Sequence, residues 1–330
     1  MNIIISHKSA LEYLRTNRRA IANDENKRIR KMNLPDRPPS NTYLKDAERS
    51  SSYAYLPLEL TYPINIMVGS QLARWKTTVV CPHVYTRQLP DWSFIRVSNK
   101  IAVSTPPLCF FQLANDLPLI KLIELGFELC GSYSLQGAKE KSIEPIGADK
   151  NIYGCPKLTN TKVLKAFVNR MVGVNGYKKA SRALRYIADG SASPMETILF
   201  MLLTLPNKLG GFGLQGAELN RRINPKNNAK QRAKGEYYVC DIFWPEANLA
   251  IEYDSDTYHT GADRIASDSK KRLNLASYGI TVITVTRIQI RNIKEFETLA
   301  KLIAKKLGRQ FRQKNPQFLN IHRELRNLLL

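Results

Sequence analysis

One stretch, Tyr237 to His259 (YYVCDIFWPEANLAIEYDSDTYH), constrains the fold of this chain more than any other. Two short runs of β-branched and aromatic residues, Tyr237–Trp244 and Leu249–Asp254, flank Pro245-Glu246-Ala247-Asn248. That pattern predicts a β-hairpin with a four-residue loop whose first φ is preset by proline. Setting Trp244 opposite Leu249 places Asp241 across from Glu252, with Asp254 a diagonal neighbour on the same face. Like charges opposed at about 4.5–5.5 Å between Cβ atoms destabilise a sheet, so compensation is required. A divalent cation, shared protons and a basic side chain all satisfy that requirement. A hard cation, Mg²⁺ or Mn²⁺, suits oxygen ligands from one or two carboxylates plus phosphate. The competing reading is a solvated acidic face with the register slipped by one residue, which alternation alone does not exclude.

The partner class follows from charge. Fifty Lys and Arg against 28 Asp and Glu give a formal net charge of +22, which points to a polyanion, with nucleic acid the first choice. A membrane surface is the weaker reading, because no long apolar run and no cleavable signal pattern is present, and the expected location is cytoplasmic. The five cysteines (81, 109, 130, 155, 240) and four histidines (7, 83, 259, 322) are scattered, which argues against a disulfide framework and against thiol or histidine metal clusters. Carboxylates are left as the candidate ligands.

The 330 residues exceed the usual single-domain size, so two domains are expected: an α/β (α+β) organisation with an N-terminal α+β domain over 1–150, a helical connector over 151–190, a second domain over 191–308 and a basic tail over 309–330. Ser9 is a candidate helix cap near the start, and 32–52 reads as a Pro-rich linker. Short β-prone runs dominate Tyr53 to Ser134, and the apolar spacing over Leu108–Leu129 predicts one or two buried helices, with Phe110 and Phe111 in the core. Helices are expected over Thr159–Arg170 and Tyr177–Ala188, the second carrying Lys178, Lys179, Arg182 and Arg185.

Ser193-Pro194-Met195-Glu196 is a capping box that starts a helix. A strand near Glu218–Ile223 and a basic loop over Asn224–Gly235 precede the hairpin, and Arg221, Arg222, Lys226, Lys230, Arg232 and Lys234 form a candidate backbone grip, or alternatively a solvated loop. Beyond the hairpin, Ala262–Tyr278 has helical spacing at Ile265, Leu273 and Ala276, Gly279 stands at its end, Ile280–Thr286 reads as a buried strand, and Asn292 with Glu295 opens a further helix. A last helix carrying Arg323 and Arg326 is expected in the tail. The order over 191–308 is therefore helix, three strands, helix, strand, helix.

That order, with acids on the central hairpin, resembles the restriction-endonuclease-like nucleases, whose motif is P-D…(D/E)-x-K. Within them it is most similar to the very-short-patch-repair-endonuclease-like domains, through Ser193–Thr197, Asp241–Glu246, Glu252–His259, and Asp268, Arg272 and Gly279. The chain departs from the pattern at Ser255, where the family has Gly, and at Asp254, where the superfamily has its lysine. The N-terminal half, in SHKSALEY, STPPLCFFQLA and LIELGFELCGSYSL, looks like the abortive-infection type IV antitoxin-like region.

The resemblance implies a restriction-endonuclease-like αβββαβ core and Mg²⁺- or Mn²⁺-dependent hydrolysis of phosphodiester bonds, DNA favoured over RNA, in a phage-defence, toxin–antitoxin or mobile-element setting. Asp241, Glu252 and Asp254 would hold the metal, Glu196 would approach it, and His259 would move a proton in place of the missing lysine. Arg221, Arg222, Lys230, Arg232, Lys234, Lys270, Lys271 and Arg272 would bind nucleic acid. A guide RNA or a protein partner through the N-terminal domain is a further expectation. The alternative is a non-catalytic nucleic-acid-binding regulator on a degenerate nuclease fold.

Overall fold

The computed structural model describes residues 3–22, 25–42, 44, 60–135, 151–224, 237–254, 262–311 and 317–330. The chain is mixed α/β and divides into two compact units, Met1–Ile187 and Ala188–Leu330.

In the first unit β1 (Ile3–Ile5) leads into α1 (His7–Thr16) and α2 (Arg18–Ala22), followed by β2 (Arg28–Ile29), β3 (Ile64–Val68), β4 (Val80–Val84), β5 (Phe94–Arg96) and β6 (Ile101–Ser104). Next come α3 (Pro106–Leu113), α4 (Leu119–Cys130), the short pair β7 (Tyr133–Ser134) and β8 (Ile152–Tyr153), α5 (Thr161–Asn169) and α6 (Tyr177–Ala183). The large sheet has the order β2-β5-β6-β1-β3-β4. Its central β1 is three isoleucines, all buried, as a strand covered on both faces requires.

Ser9 does not cap α1. The helix begins two residues earlier with Ser6 at the N-cap, and the buried Ser9 hydroxyl accepts the Asn65 backbone N–H at 2.9 Å, tying α1 to β3. The sharp strand-to-helix turn puts His7 at φ +49° and stacks its ring on His83 of β4, with centroids 3.5 Å apart. The apolar run from Leu108 to Leu129 is two helices as expected, and Phe110 and Phe111 lie in the core. Helices α5 and α6 pack on α3 and α4, so the segment expected as a connector belongs inside this unit.

The second unit runs α7 (Pro194–Thr204), β9 (Glu218–Ile223), β10 (Tyr238–Trp244), β11 (Leu249–Asp254), α8 (Ala262–Ser277), β12 (Thr281–Thr286), α9 (Arg287–Arg291), α10 (Ile293–Lys306) and α11 (Phe318–Leu329). Its sheet has the order β12-β11-β10-β9, antiparallel from β9 to β11 and parallel between β11 and β12, the crossover being α8. The hairpin register is the one the loop dictates, with Trp244 opposite Leu249 and Asn248 at φ +45° closing the turn. Trp244 is fully buried and its indole N–H donates to the Leu214 and Gln215 carbonyls, which anchors β10 to the turn after α7. Gly211 permits that turn, since a Cβ there would fall 2.1 Å from the Leu205 carbonyl oxygen.

Three expectations change. Strand β12 is an edge of its sheet and mostly half-buried, because Val and Thr on both faces fit a partly covered edge as well as a centre. On α8 the packed position is Leu275, while Leu273 is 75% exposed and Ala276 is exposed; the side chain of Ile265 lies outside the described residues. The C-terminal helix α11 is no free basic tail: it packs on α7 and the Asn207–Leu209 turn, and the buried Arg326 donates to the Ile290 and Arg291 carbonyls.

Candidate functional site

The site is built where the β10–β11 ladder gives out. Paired positions end at Ile242 opposite Ile251, and one step further the backbone N–H of Tyr253 donates instead to Asp241 Oδ2 at 2.8 Å. A carboxylate thus replaces a carbonyl as cross-strand acceptor, which orients Asp241 toward Glu252 on β11. Cys240 and Phe243 share one core cluster although they are three positions apart, so side chains do not alternate cleanly across Asp241.

Asn220, on β9 between the paired positions Leu219 and Arg221, has φ +48°. A non-glycine residue in the left-handed region stores strain that its surroundings must over-determine. Here its amide donates to the Gly190 carbonyl at 3.0 Å and to Glu196 Oε2 at 2.6 Å. Glu196 stands at the third position of α7. The Ser193 hydroxyl accepts the Glu196 N–H, as the capping box predicts, but the Glu196 carboxylate turns to the Ala192 N–H at 3.0 Å and to Asn220. Sequence reading missed Asn220, because an Asn inside a strand-like run carries no visible signal of its dihedrals.

Three carboxyls from three elements are coupled electrostatically: Glu196 from α7, Asp241 from β10 and Glu252 from β11. Burial raises all three above the usual carboxylate range, and Asp241 adds to the rise at both Glu196 and Glu252. Glu252 is pushed up to about 7, by burial first and Asp241 second, against the opposing pull of Lys271. Lys271 of α8 places its ammonium 2.6 Å from Glu252 Oε2, the two side chains being 29% and 19% exposed. Glu252 Oε1 is buried without a well-formed hydrogen bond among the described residues. The Cys240 thiol beside it, pushed up to about 12 by burial and then by Glu252, is a weak donor and no nucleophile.

The structure relocates several expected residues. Lys271, expected on phosphates, is engaged by Glu252. Asp254 ends β11 as an exposed residue opposite Thr286, and the group the structure assembles is Glu196 with Asp241 and Glu252. Arg221 pairs with Glu218 at 2.9 Å, and the Arg222 guanidinium lies over the Tyr237 ring, 4.4 Å from its centroid; both are exposed. Lys270 and Arg272 are exposed on α8. His259, Lys230, Arg232 and Lys234 lie outside the described residues.

Among the described residues no three His, Cys, Asp or Glu side chains form a group able to hold a metal ion. The hard-oxygen donor set of Asp241 and Glu252, two mutually repelling carboxyls with Glu252 Oε1 met by no donor stronger than the Cys240 thiol among the described residues, nevertheless fits Mg²⁺ or Mn²⁺, which needs only one or two carboxylates plus phosphate and water. No family model, no curated protein and no solved structure matches the chain.

Proposed function

We propose that the second unit is a restriction-endonuclease-like nuclease of the very-short-patch-repair type that hydrolyses phosphodiester bonds of nucleic acid, DNA in preference to RNA. The observation that carries this reading is Glu252: a strand carboxyl with one oxygen held by Lys271, the other buried beside no stronger donor than the Cys240 thiol among the described residues, and Asp241 and Glu196 charged against it. Structural acids are normally satisfied on both oxygens, and charge repulsion of this kind is kept where chemistry uses it.

Asp241 and Glu252 would hold Mg²⁺ or Mn²⁺, with Asp254 in reach of a bound water. When bound, the ion supplies Lewis acidity toward the phosphate and a water of lowered pKa. The chain's own groups supply the rest. The Tyr253 N–H holds Asp241 in place and Lys271 holds Glu252, so neither carboxylate swings to meet solvent. Glu196, fixed by Asn220, keeps the negative potential high and approaches the same centre. Lys271 is the proposed group to orient the attacking water, the duty of the superfamily lysine, and His259 is the proposed donor to the leaving oxygen. Arg221, Arg222, Lys270 and Arg272, with the net charge of +22, support a phosphate-backbone partner. The resemblance of the N-terminal half supports a role for this activity in phage defence or a toxin–antitoxin system.

The test is incubation of the purified full chain with plasmid, single-stranded DNA and RNA, each with Mg²⁺, Mn²⁺ or EDTA. Cleavage that needs metal and is lost in Asp241→Asn is expected. Intact substrates with unchanged binding in Asp241→Asn would instead establish the non-catalytic regulator.

A further inference from the structure

The first unit contains a cleft of about 340 Å³ that the nuclease reading does not use, formed by the segment after β2, the loop after β4 and the start of β5. Its lining includes Arg30, Lys31 and Arg87, all exposed, and no acidic residue. Asp91 pairs with Arg30 at 3.3 Å from outside the lining, and Arg87 gives one N–H to the Gly173 carbonyl, so Lys31 and the remaining Arg87 donors face the cleft's solvent side unneutralised by any carboxylate the cleft itself provides. The wall is aromatic, with Phe94 buried and Tyr85 half-buried, and the Tyr85 hydroxyl is buried with no hydrogen-bond partner among the described residues.

Trp92 is not part of the lining but directly precedes the lining residue Ser93 in the chain. It is 49% exposed and adopts φ +66°, held there by its own N–H donating to the Arg30 carbonyl at 3.0 Å. A bulky residue in the left-handed region is a true outlier, and burial does not explain one whose ring is half in water. The ring is exposed at a backbone cost, and its backbone is tied to Arg30, one of the cations that line the cleft.

An aromatic platform next to uncompensated cations is the chemistry that receives an unstacked base together with its phosphate. A duplex does not offer a free base face, so the geometry points to single-stranded nucleic acid. We propose that this cleft binds one nucleotide of a single strand, with its base on Trp92 and its phosphate at Lys31 and Arg87. The site lies wholly in the first unit and does not rest on the nuclease reading.

The experiment is fluorescence anisotropy of a labelled thymidylate dodecamer with the full chain, in EDTA and at about 100 mM salt, where electrostatic contacts are still readable. Trp92→Ala is expected to weaken binding ~10-fold, as loss of one stacked base does, and Trp92→Phe to restore most of it. Lys31→Ala with Arg87→Ala is expected to weaken binding and flatten its salt dependence, with melting temperature unchanged since both side chains are exposed. A mononucleotide that competes as well as the dodecamer would assign the same cleft to a free nucleotide. Affinity within twofold of the parent in both Trp92→Ala and the double variant, or a duplex bound as tightly as the single strand, overturns the proposal.

Discussion

The ammonium of Lys271 lies 2.6 Å from Glu252 Oε2, nineteen positions along the chain and on a different element. A lysine on the crossover helix thus reaches a carboxylate on the strand. Removing it leaves a largely buried carboxylate unpaired. Lys271→Ala is expected to reduce metal-dependent cleavage ~100-fold and to destabilise the unit by ~2 kcal/mol at pH 8. The stability loss should shrink toward zero at pH 5, where Glu252 is protonated in the folded state. Cleavage rates and urea melts at the two pH values check both.

Glu252 is itself a source of pH dependence. Its carboxyl sits near 4.5 when unfolded and about 7 when folded, so the native state binds the proton more tightly. Stability is therefore present at low pH and is lost as pH rises between those values, then stays level. Glu252→Gln removes this loss but strands Lys271, which is partly exposed and finds water. A net gain of ~1 kcal/mol at pH 8, absent near pH 4, is expected from denaturant titrations.

Asn220 joins β9 to α7 through the Gly190 carbonyl and Glu196. Asn220→Ala keeps the strained dihedral and deletes both bonds, so a loss of ~2 kcal/mol is expected. Asn220→Gly relaxes the backbone and should cost less than the alanine variant. Thermal melts of the pair separate strain from hydrogen bonding, and the reverse order would show that the side-chain bonds alone matter.

In the first unit, burial and then the neighbouring His83 lower His7 from 6.5 to about 3. His83 is also lowered by burial and by Lys76, with Asp116 opposing. The folded state resists protonation, so stability is full above 6.5 and falls as pH drops toward 3, by ~1 kcal/mol per pH unit for His7. His7→Asn tolerates the left-handed backbone and cannot take up the proton. The urea stability of the variant relative to the parent should rise from pH 7 to pH 4; a constant difference would remove His7 as the cause.

The sequence by itself determined the local elements of the second unit. The loop Pro245–Asn248 set the register of β10 on β11, because side-chain period and turn length leave one pairing that buries Trp244, Leu249 and Ile251. Ser193 marked the start of α7, and the acids of the hairpin marked the candidate site. What only the tertiary structure decided are relations between elements: Lys271 on Glu252, Asn220 on Glu196, α11 against α7, and β12 at an edge. Such relations depend on which face of one element meets another, and helical or strand periodicity leaves that choice open. Burial then turned adjacent acids into a coupled set, since the charge repulsion that raises Glu252 has force only once water is excluded.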